Sequence, residues 1–216
     1  MTLGLWVALA AATPPLPDYG EALADARWYA VDKVMSNGCG FDPNAAAVVC
    51  EEGTTELARE MADDFQRVVT KSAGLTYLIG LSHRYDGHND QAITWYRRAI
   101  ALDEGYEAAW YDIGELHIID GRFEAAAEAF EKVAELVPEG ETAWVGPWRR
   151  AEVAAHQQQP EVFETWMKKA LEKGFSFRQI EGSPPWRAFY ADPVMRGSVE
   201  KLITVYGTPE TLDTLR

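Results

Sequence analysis

The fold of this chain is decided by residues 73–106, AGLTYLIGLSHRYDGHNDQAITWYRRAIALDEGY, and residues 107–140, EAAWYDIGELHIIDGRFEAAAEAFEKVAELVPEG. Aligned, the two stretches repeat their landmarks with a period of 34 residues. The matching pairs are Tyr77/Tyr111, Ile79/Ile113, Gly80/Gly114, His83/His117, Gly87/Gly121, Ala92/Ala126 and Tyr96/Phe130. Each unit has the apolar spacing of two helices joined by a glycine turn, and neither helix can bury its apolar face alone. Stacked units can, so the period predicts an all-α solenoid of roughly eight or nine helices.

The small residues of each unit have distinct predicted roles. Gly80 and Gly114 should lie where the two helices of a unit cross closely, because a larger side chain would push them apart. Gly87 and Gly121 suit a helix C-terminus, where a positive φ is favourable for glycine.

Residues 73–140 resemble tandem tetratricopeptide repeats. The second unit carries the family's signature residues at the family's spacing: Trp110, Ile113, Gly114, Gly121, Phe123, Ala126, Phe130 and Pro138. The first unit departs from the signature at Thr76, where an aromatic residue is usual, and at Glu104, where proline is usual. A third, degenerate unit covers residues 141–174. The resemblance implies a right-handed α-solenoid that holds a partner in its concave groove.

The segments that flank the repeats are predicted to cap the stack. Residues 18–72 form an N-terminal helical cap, with helices at 18–36 and from about residue 54 to 71 around a cysteine loop. Residues 175–216 form a C-terminal cap, with an irregular aromatic segment before a final helix from residue 194 to 206.

The first residues and the two cysteines bear on location. Residues 1–12 are a candidate signal peptide, because their apolar run is too short to span a bilayer and ends in small residues before two prolines. A helix packed on the solenoid is the alternative for this segment. Cys39 and Cys50 are predicted to form a disulfide in an oxidising compartment, with free buried thiols as the alternative. Export predicts a periplasmic or secreted protein, and otherwise the chain is cytoplasmic.

Charge restricts the class of partner. The chain has 34 acidic against 20 basic residues and a formal net charge of −14. Phosphate backbones and anionic membrane surfaces favour the opposite sign, so neither nucleic acid nor membrane is an expected partner.

No catalytic, metal or cofactor motif is expected to operate in this chain. His83 and His117 occupy one repeat position and are predicted to pack between helices, with a metal pair, a proton relay or a pH sensor as the alternatives. An enzymatic alternative would use the polar and aromatic cluster Arg178, Glu181, Trp186 and Tyr190.

The predicted site is the concave groove lined by the first helices of successive units. The resemblance assigns to it Tyr77, Leu81, Arg84, Tyr85, Tyr111, Glu115, Ile118, Val145 and Arg149. Stacked tyrosines with scattered arginines suit an extended or helical peptide of a partner protein. The predicted function is therefore a non-catalytic protein-interaction module, and a bacterial envelope assembly is the expected setting. A structural oligomerisation subunit is the alternative, and the oligomeric state is unknown.

Overall fold

The computed structural model describes residues 19–43, 45, 47–68 and 72–216. The predicted signal peptide, residues 1–12, lies outside the described residues. The chain forms successive antiparallel helix pairs, which confirms the predicted α-solenoid. The helices are α1 Tyr19–Gly38, α2 Thr54–Val68, α3 Ala73–Tyr85, α4 Asn89–Leu102, α5 Glu107–Ile119, α6 Phe123–Leu136, α7 Val145–His156, α8 Pro160–Glu172, α9 Pro184–Ala191, α10 Arg196–Tyr206 and α11 Pro209–Leu215. Within these described residues, no helix is both long enough and apolar enough to cross a membrane.

The two regular units are the pairs α3–α4 and α5–α6, whose helix starts are separated by 34 residues. Gly80 and Gly114 lie directly beneath the rings of Tyr96 and Phe130, and a Cβ at either glycine would approach a ring carbon to 2.6 Å. Gly87 and Gly121 lie two residues beyond the ends of the first helices α3 and α5 and adopt φ values of 78° and 69°. Each of the four glycines therefore has the structural role that the period predicts.

The N-terminal cap, α1–α2, contains a β-hairpin where the sequence predicts a loop. Strands β1 Cys39–Asp42 and β2 Ala47–Cys50 pair antiparallel, with Cys39 opposite Cys50. These two cysteines form a disulfide, which links the ends of the hairpin next to the helices. The predicted all-α fold thus includes one short, covalently closed sheet, whose pairing is local and leaves the helical stack intact.

The C-terminal segment is more regular than the predicted irregular cap. A 3-10 helix, Phe177–Ile180, precedes α9, α10 and α11, and the total of eleven α-helices in the described part of the chain exceeds the roughly eight or nine expected. Pro184 and Pro185 stand in the first turn of α9, where proline is compatible with a helix because those amides need no intrahelical partner. The prolines therefore begin a helix within the segment that the sequence predicts to be irregular.

The aromatic side chains of this segment continue the core of the third unit. Trp186 is completely buried against Phe163 of α8, and Met195, Val199 and Leu202 join the same cluster. The segment therefore closes the end of the stack by extending its hydrophobic core.

Candidate functional site

The nine predicted groove residues lie on α3, α5 and α7, the first helices of three successive units. We refer to them together as the first-helix row. Four are on α3, three on α5 and two on α7. Side-chain contacts join the three helices along this row at two junctions.

The junction between α3 and α5 is centred on Asp112, a buried carboxylate. Tyr77 donates a hydrogen bond to Asp112 Oδ2 at 3.0 Å, and Arg84 forms an ion pair with Asp112 Oδ1. Burial raises the pKa of Asp112 above its usual range, although the Arg84 charge and the tyrosine hydrogen bond oppose that shift. Burial, with the nearby carboxylate, also raises the pKa of Tyr77, so this hydroxyl stays a hydrogen-bond donor at neutral pH.

The junction between α5 and α7 is centred on Arg149. Its guanidinium pairs with Glu115 on α5 and with Glu152 on its own helix. Glu152 is buried and also accepts a hydrogen bond from the indole N–H of Trp186 on α9. Burial raises the pKa of Glu152, while Arg149 and the indole act in the opposite direction. One arginine therefore connects the second and third units, and Glu152 extends this network to the C-terminal helices.

The apolar members of the first-helix row pack into the core beside these polar junctions. Leu81 and Tyr85 contact the cluster formed with α1 and α2, and Ile118 contacts the cluster around Phe130. Tyr111 meets the edge of the Phe130 ring, with the ring centres 5.8 Å apart. Burial, followed by the charge of Glu115, raises the pKa of Tyr111 to about 12. The row is thus a fixed surface of half-buried aromatic and aliphatic groups.

The charge balance along the row is acidic. Arg84 and Arg149 are shared among the carboxylates of Asp112, Glu115 and Glu152. When all five groups are ionised, one negative charge is left without a compensating arginine.

Sequence reasoning missed the two buried acids of the site. Asp112 stands at the repeat position of Leu78, and Glu152 at the repeat position of Ile118, so the period gives no sign that either is polar for a structural reason. A usable signal does exist for their network: Glu115 and Arg149 occupy the same position in successive units with opposite charges. Such a pair can meet across a repeat junction.

The residues of the enzymatic alternative are not brought together. Arg178 and Glu181 are exposed, whereas Trp186 is buried in the core beside Glu152. Tyr190 donates a hydrogen bond to Glu200 at 3.0 Å on α10. These separate roles are structural, and they give the segment no convergent polar site.

The paired histidines of the regular units occupy packing positions. His117 is buried and His83 is half-buried, and desolvation lowers the pKa of both, which keeps them neutral near pH 7. In the described part of the chain, no three His, Cys, Asp or Glu side chains are grouped so that they could hold a metal ion.

The helix pairs and the first-helix row together define a helical-repeat scaffold of the kind that holds other proteins. Residues 77–141 match the sequence profile of the Tetratricopeptide repeat family. This part of the chain accordingly consists of tetratricopeptide repeats, and the repeats and the fold support the class of a protein–protein interaction module.

One curated relative and several solved structures are similar to this chain. Tetratricopeptide repeat protein 6 of Homo sapiens is 28% identical over 113 residues, which are 52% of this chain and 21% of that protein. This chain thus spans about a fifth of the length of the curated relative that it matches.

The structural neighbours share the fold at low sequence identity. A crystal structure of MamA protein has a TM-score of 0.55 and 23% identity, covering 69% of this chain and 72% of that one. The pilF protein of Pseudomonas aeruginosa has a TM-score of 0.58 and 15% identity, covering 90% and 88%. YrrB, described as a TPR protein with an unusual peptide-binding site, has a TM-score of 0.51 and 17% identity, covering 71% of each chain.

Proposed function

We propose that this protein binds a peptide or helix of a partner protein along its first-helix row, and that the bound segment carries lysine or arginine beside apolar residues. The observation that carries the proposal is the set of ion pairs that bridge successive first helices, Arg84 with Asp112 and Arg149 with Glu115. They hold the row in one arrangement before a partner arrives, which lowers the entropy lost on binding. The carboxylate in excess over the two arginines favours a cationic segment.

A matched pair of variants on one helix tests this proposal. Ile118 belongs to the first-helix row, whereas its neighbour Ile119 is 65% exposed and lies outside the row. Ile118→Arg adds bulk and positive charge to the proposed surface, and Ile119→Arg adds the same group beside it. Partners captured from the source cell with the native protein should be lost with Ile118→Arg and retained with Ile119→Arg.

Two further readouts make the test decisive. Binding of a cationic segment should weaken as the salt concentration rises, because added salt screens charges. Circular dichroism must show that Ile118→Arg keeps the helical fold. A folded Ile118→Arg protein that retains every partner at unchanged affinity rules out the first-helix row as the binding surface.

We also propose that the protein is exported, belongs to a bacterial envelope assembly and acts in an oxidising compartment. The Cys39–Cys50 disulfide supports this location, because such bonds persist outside the reducing cytoplasm. Intact-mass measurement of protein purified from its native host tests it. The expected result is a chain that starts near residue 13 and has both cysteines oxidised. A chain that retains Met1 and has two thiols that can be alkylated without reductant would contradict export.

A further inference from the structure

A pocket of the molecule lies between α2 of the N-terminal cap and the first regular unit, α3–α4, apart from the first-helix row. It has a volume of about 410 Å³ and is lined by Gln66 of α2, Thr76 of α3, and Trp95, Arg98, Ala101 and Leu102 of α4. Thr76 is buried, while Leu102 at the rim is 43% exposed. The pocket therefore has a polar wall, an apolar wall and an open mouth.

The pocket exists because the first unit lacks the aromatic residue that the second unit has at the same position. The three positions occupied by Gln66, Thr76 and Trp95 correspond, 34 residues later, to Ile100, Trp110 and Ala129. These three later residues line a pocket of their own, of about 180 Å³. The two pockets are therefore equivalent places in successive units, and the larger one is where a tryptophan is absent.

Local contacts keep the first pocket open. In the second unit, the Trp110 indole N–H donates to the Glu104 carbonyl at 3.2 Å, so the ring belongs to the wall. In the first unit, Gln66 Nε2 donates instead to Thr76 Oγ1 at 3.1 Å, and Trp95 packs against the core cluster of α1–α3. An aromatic side chain of a partner that entered the first pocket would contact residues at the same repeat positions as those around the Trp110 indole.

The rim of the pocket carries a cation without an internal acidic partner. Arg98 lies over the Trp95 ring, 4.4 Å from its centre, and no acidic side chain in the described ranges forms an ion pair with it. A guanidinium on an aromatic face keeps its N–H edge free to bind a carboxylate.

A second tryptophan–cation pair lies beside a smaller pocket in the third unit. Lys169 lies 3.7 Å from the centre of the Trp166 ring. The pocket beside that pair is about 240 Å³ and is also lined by Lys173 and by two glutamates, of which Glu131 pairs with Arg150 and Glu135 with Lys132. Of the two places, only the first-unit pocket combines an open aromatic-sized cavity with a rim free of acids.

We infer that the pocket at Thr76 is a second binding site, which takes an aromatic side chain that is followed by an acidic residue in a segment of a partner protein. The ring fills the place that Trp110 occupies in the second unit, and the carboxylate pairs with Arg98. This site has the opposite charge preference from the first-helix row, so the two surfaces can bind different segments without competing.

The test titrates the full-length protein with a capped tetrapeptide that contains tryptophan followed by aspartate, monitored by the NMR signals of the Trp95 indole and of Gln66. The expected result is saturable shifts at these groups. Thr76→Trp supplies the missing ring and should abolish them. Arg98→Glu should weaken binding about fivefold, the size expected for an exposed ion pair, and the asparagine version of the peptide should weaken it similarly.

Matched controls and contrary outcomes are available. Lys132 occupies the position of Arg98 in the second unit, so Lys132→Gln should leave binding unchanged. Because Arg98 is exposed, Arg98→Glu remains informative even if Thr76→Trp does not fold.

Absence of NMR shifts, or shifts that neither variant changes, overturns the proposal. Tighter binding of free indole-3-acetate than of the peptide would assign the pocket to small molecules, and shifts that depend on protein concentration alone would assign it to a second copy of the chain. Either result also overturns it.

Discussion

Gly114 of α5 shows how one missing side chain fixes the distance between two helices. A Cβ at this position would lie 2.6 Å from Phe130 Cζ, well inside the distance at which carbon atoms attract one another. Gly114→Ala should therefore lower the free energy of unfolding by about 1–3 kcal/mol, the usual cost of overpacking a core. Chemical denaturation of the two proteins measures this difference.

Gly197 provides the control for this substitution. It lies in α10, and a Cβ there would have no atom within 4 Å. Gly197→Ala should be neutral or stabilising by up to about 1 kcal/mol, because alanine favours helix more than glycine does. Equal destabilisation by both substitutions would show that the contact with Phe130 is not the cause.

The stability of the C-terminal helices depends on pH through the carboxylate of Glu164. Its carboxylate on α8 accepts hydrogen bonds from Lys201 and Ser198 on α10, at 2.6 and 2.8 Å. The Lys201 bond, more than the Ser198 bond, lowers the pKa of Glu164 below its usual value. Since the folded pKa is lower than the unfolded value of about 4.3, this stabilisation is present above that pH and is lost as the pH falls through the folded pKa.

Thermal unfolding followed from neutral to acidic pH tests this effect. In Glu164→Gln the melting temperature should fall less steeply with acidification than in the native protein, because the group that takes up the proton is absent. Glu161→Gln, an exposed position on the same helix, should leave the slope unchanged. If the melting temperature of Glu164→Gln fell with acidification as steeply as that of the native protein, the prediction would be wrong.

At the scale of elements, the hairpin of the N-terminal cap depends on its disulfide. The bond closes a ring between cysteines 11 residues apart, which contributes about 2–3 kcal/mol on the chain-entropy model. Replacing Cys39 and Cys50 by serine should increase hydrogen exchange in β1, β2, α1 and α2. Exchange in α5 and α6 should be unaffected, because each unit of a solenoid is stabilised by its neighbours.

Native protein treated with reductant should reproduce the exchange pattern of the double serine variant, since both lack only the same bond. A uniform increase of exchange along the whole chain would mean that the hairpin supports the entire stack, which contradicts the nearest-neighbour argument.

The elements differ in how far the sequence could predict them. The strands CGFD and AVVC are only four residues long, too short for an alternating pattern, and their pairing depends on the cysteine bond. Helix α9 was predictable in principle, because two prolines at the start of an apolar segment are compatible with a first helical turn. The buried acids Asp112 and Glu152 were not, since a charge on a helix is usually solvated and only its neighbours in space show otherwise.

At the scale of the whole molecule, the C-terminal segment closes the hydrophobic core. Phe163, Met167 and Ala170 of α8 are buried together with side chains that follow residue 174. A chain that ends at residue 174 should expose this surface and associate or aggregate, because a solenoid needs a capped end to stay soluble. Size-exclusion chromatography with light scattering measures the result against the full-length protein, and a well-behaved monomer of the short chain would contradict it.

The repeat architecture was the most predictable property of the whole chain. Gly80, Gly114, Ala92 and Ala126 mark close helix contacts, and their spacing repeats because the same contact recurs in each unit. The candidate site was less predictable. The positions of Tyr77 and Tyr111 on first helices followed from the period, but the ion pair of Arg84 with Asp112 joins two different repeat positions and has no periodic signal.

Because Glu115 and Arg149 pair across one junction, the repeat units of this protein are not interchangeable. The residue 34 positions before Glu115 is Leu81, so a shortened chain without residues 107–140 would place Arg149 against a leucine and leave its guanidinium with Glu152 alone. A duplicated second unit would instead set Glu115 against another copy of itself. Either rearrangement would keep the repeat pattern of the backbone and create a junction without the Glu115–Arg149 charge match.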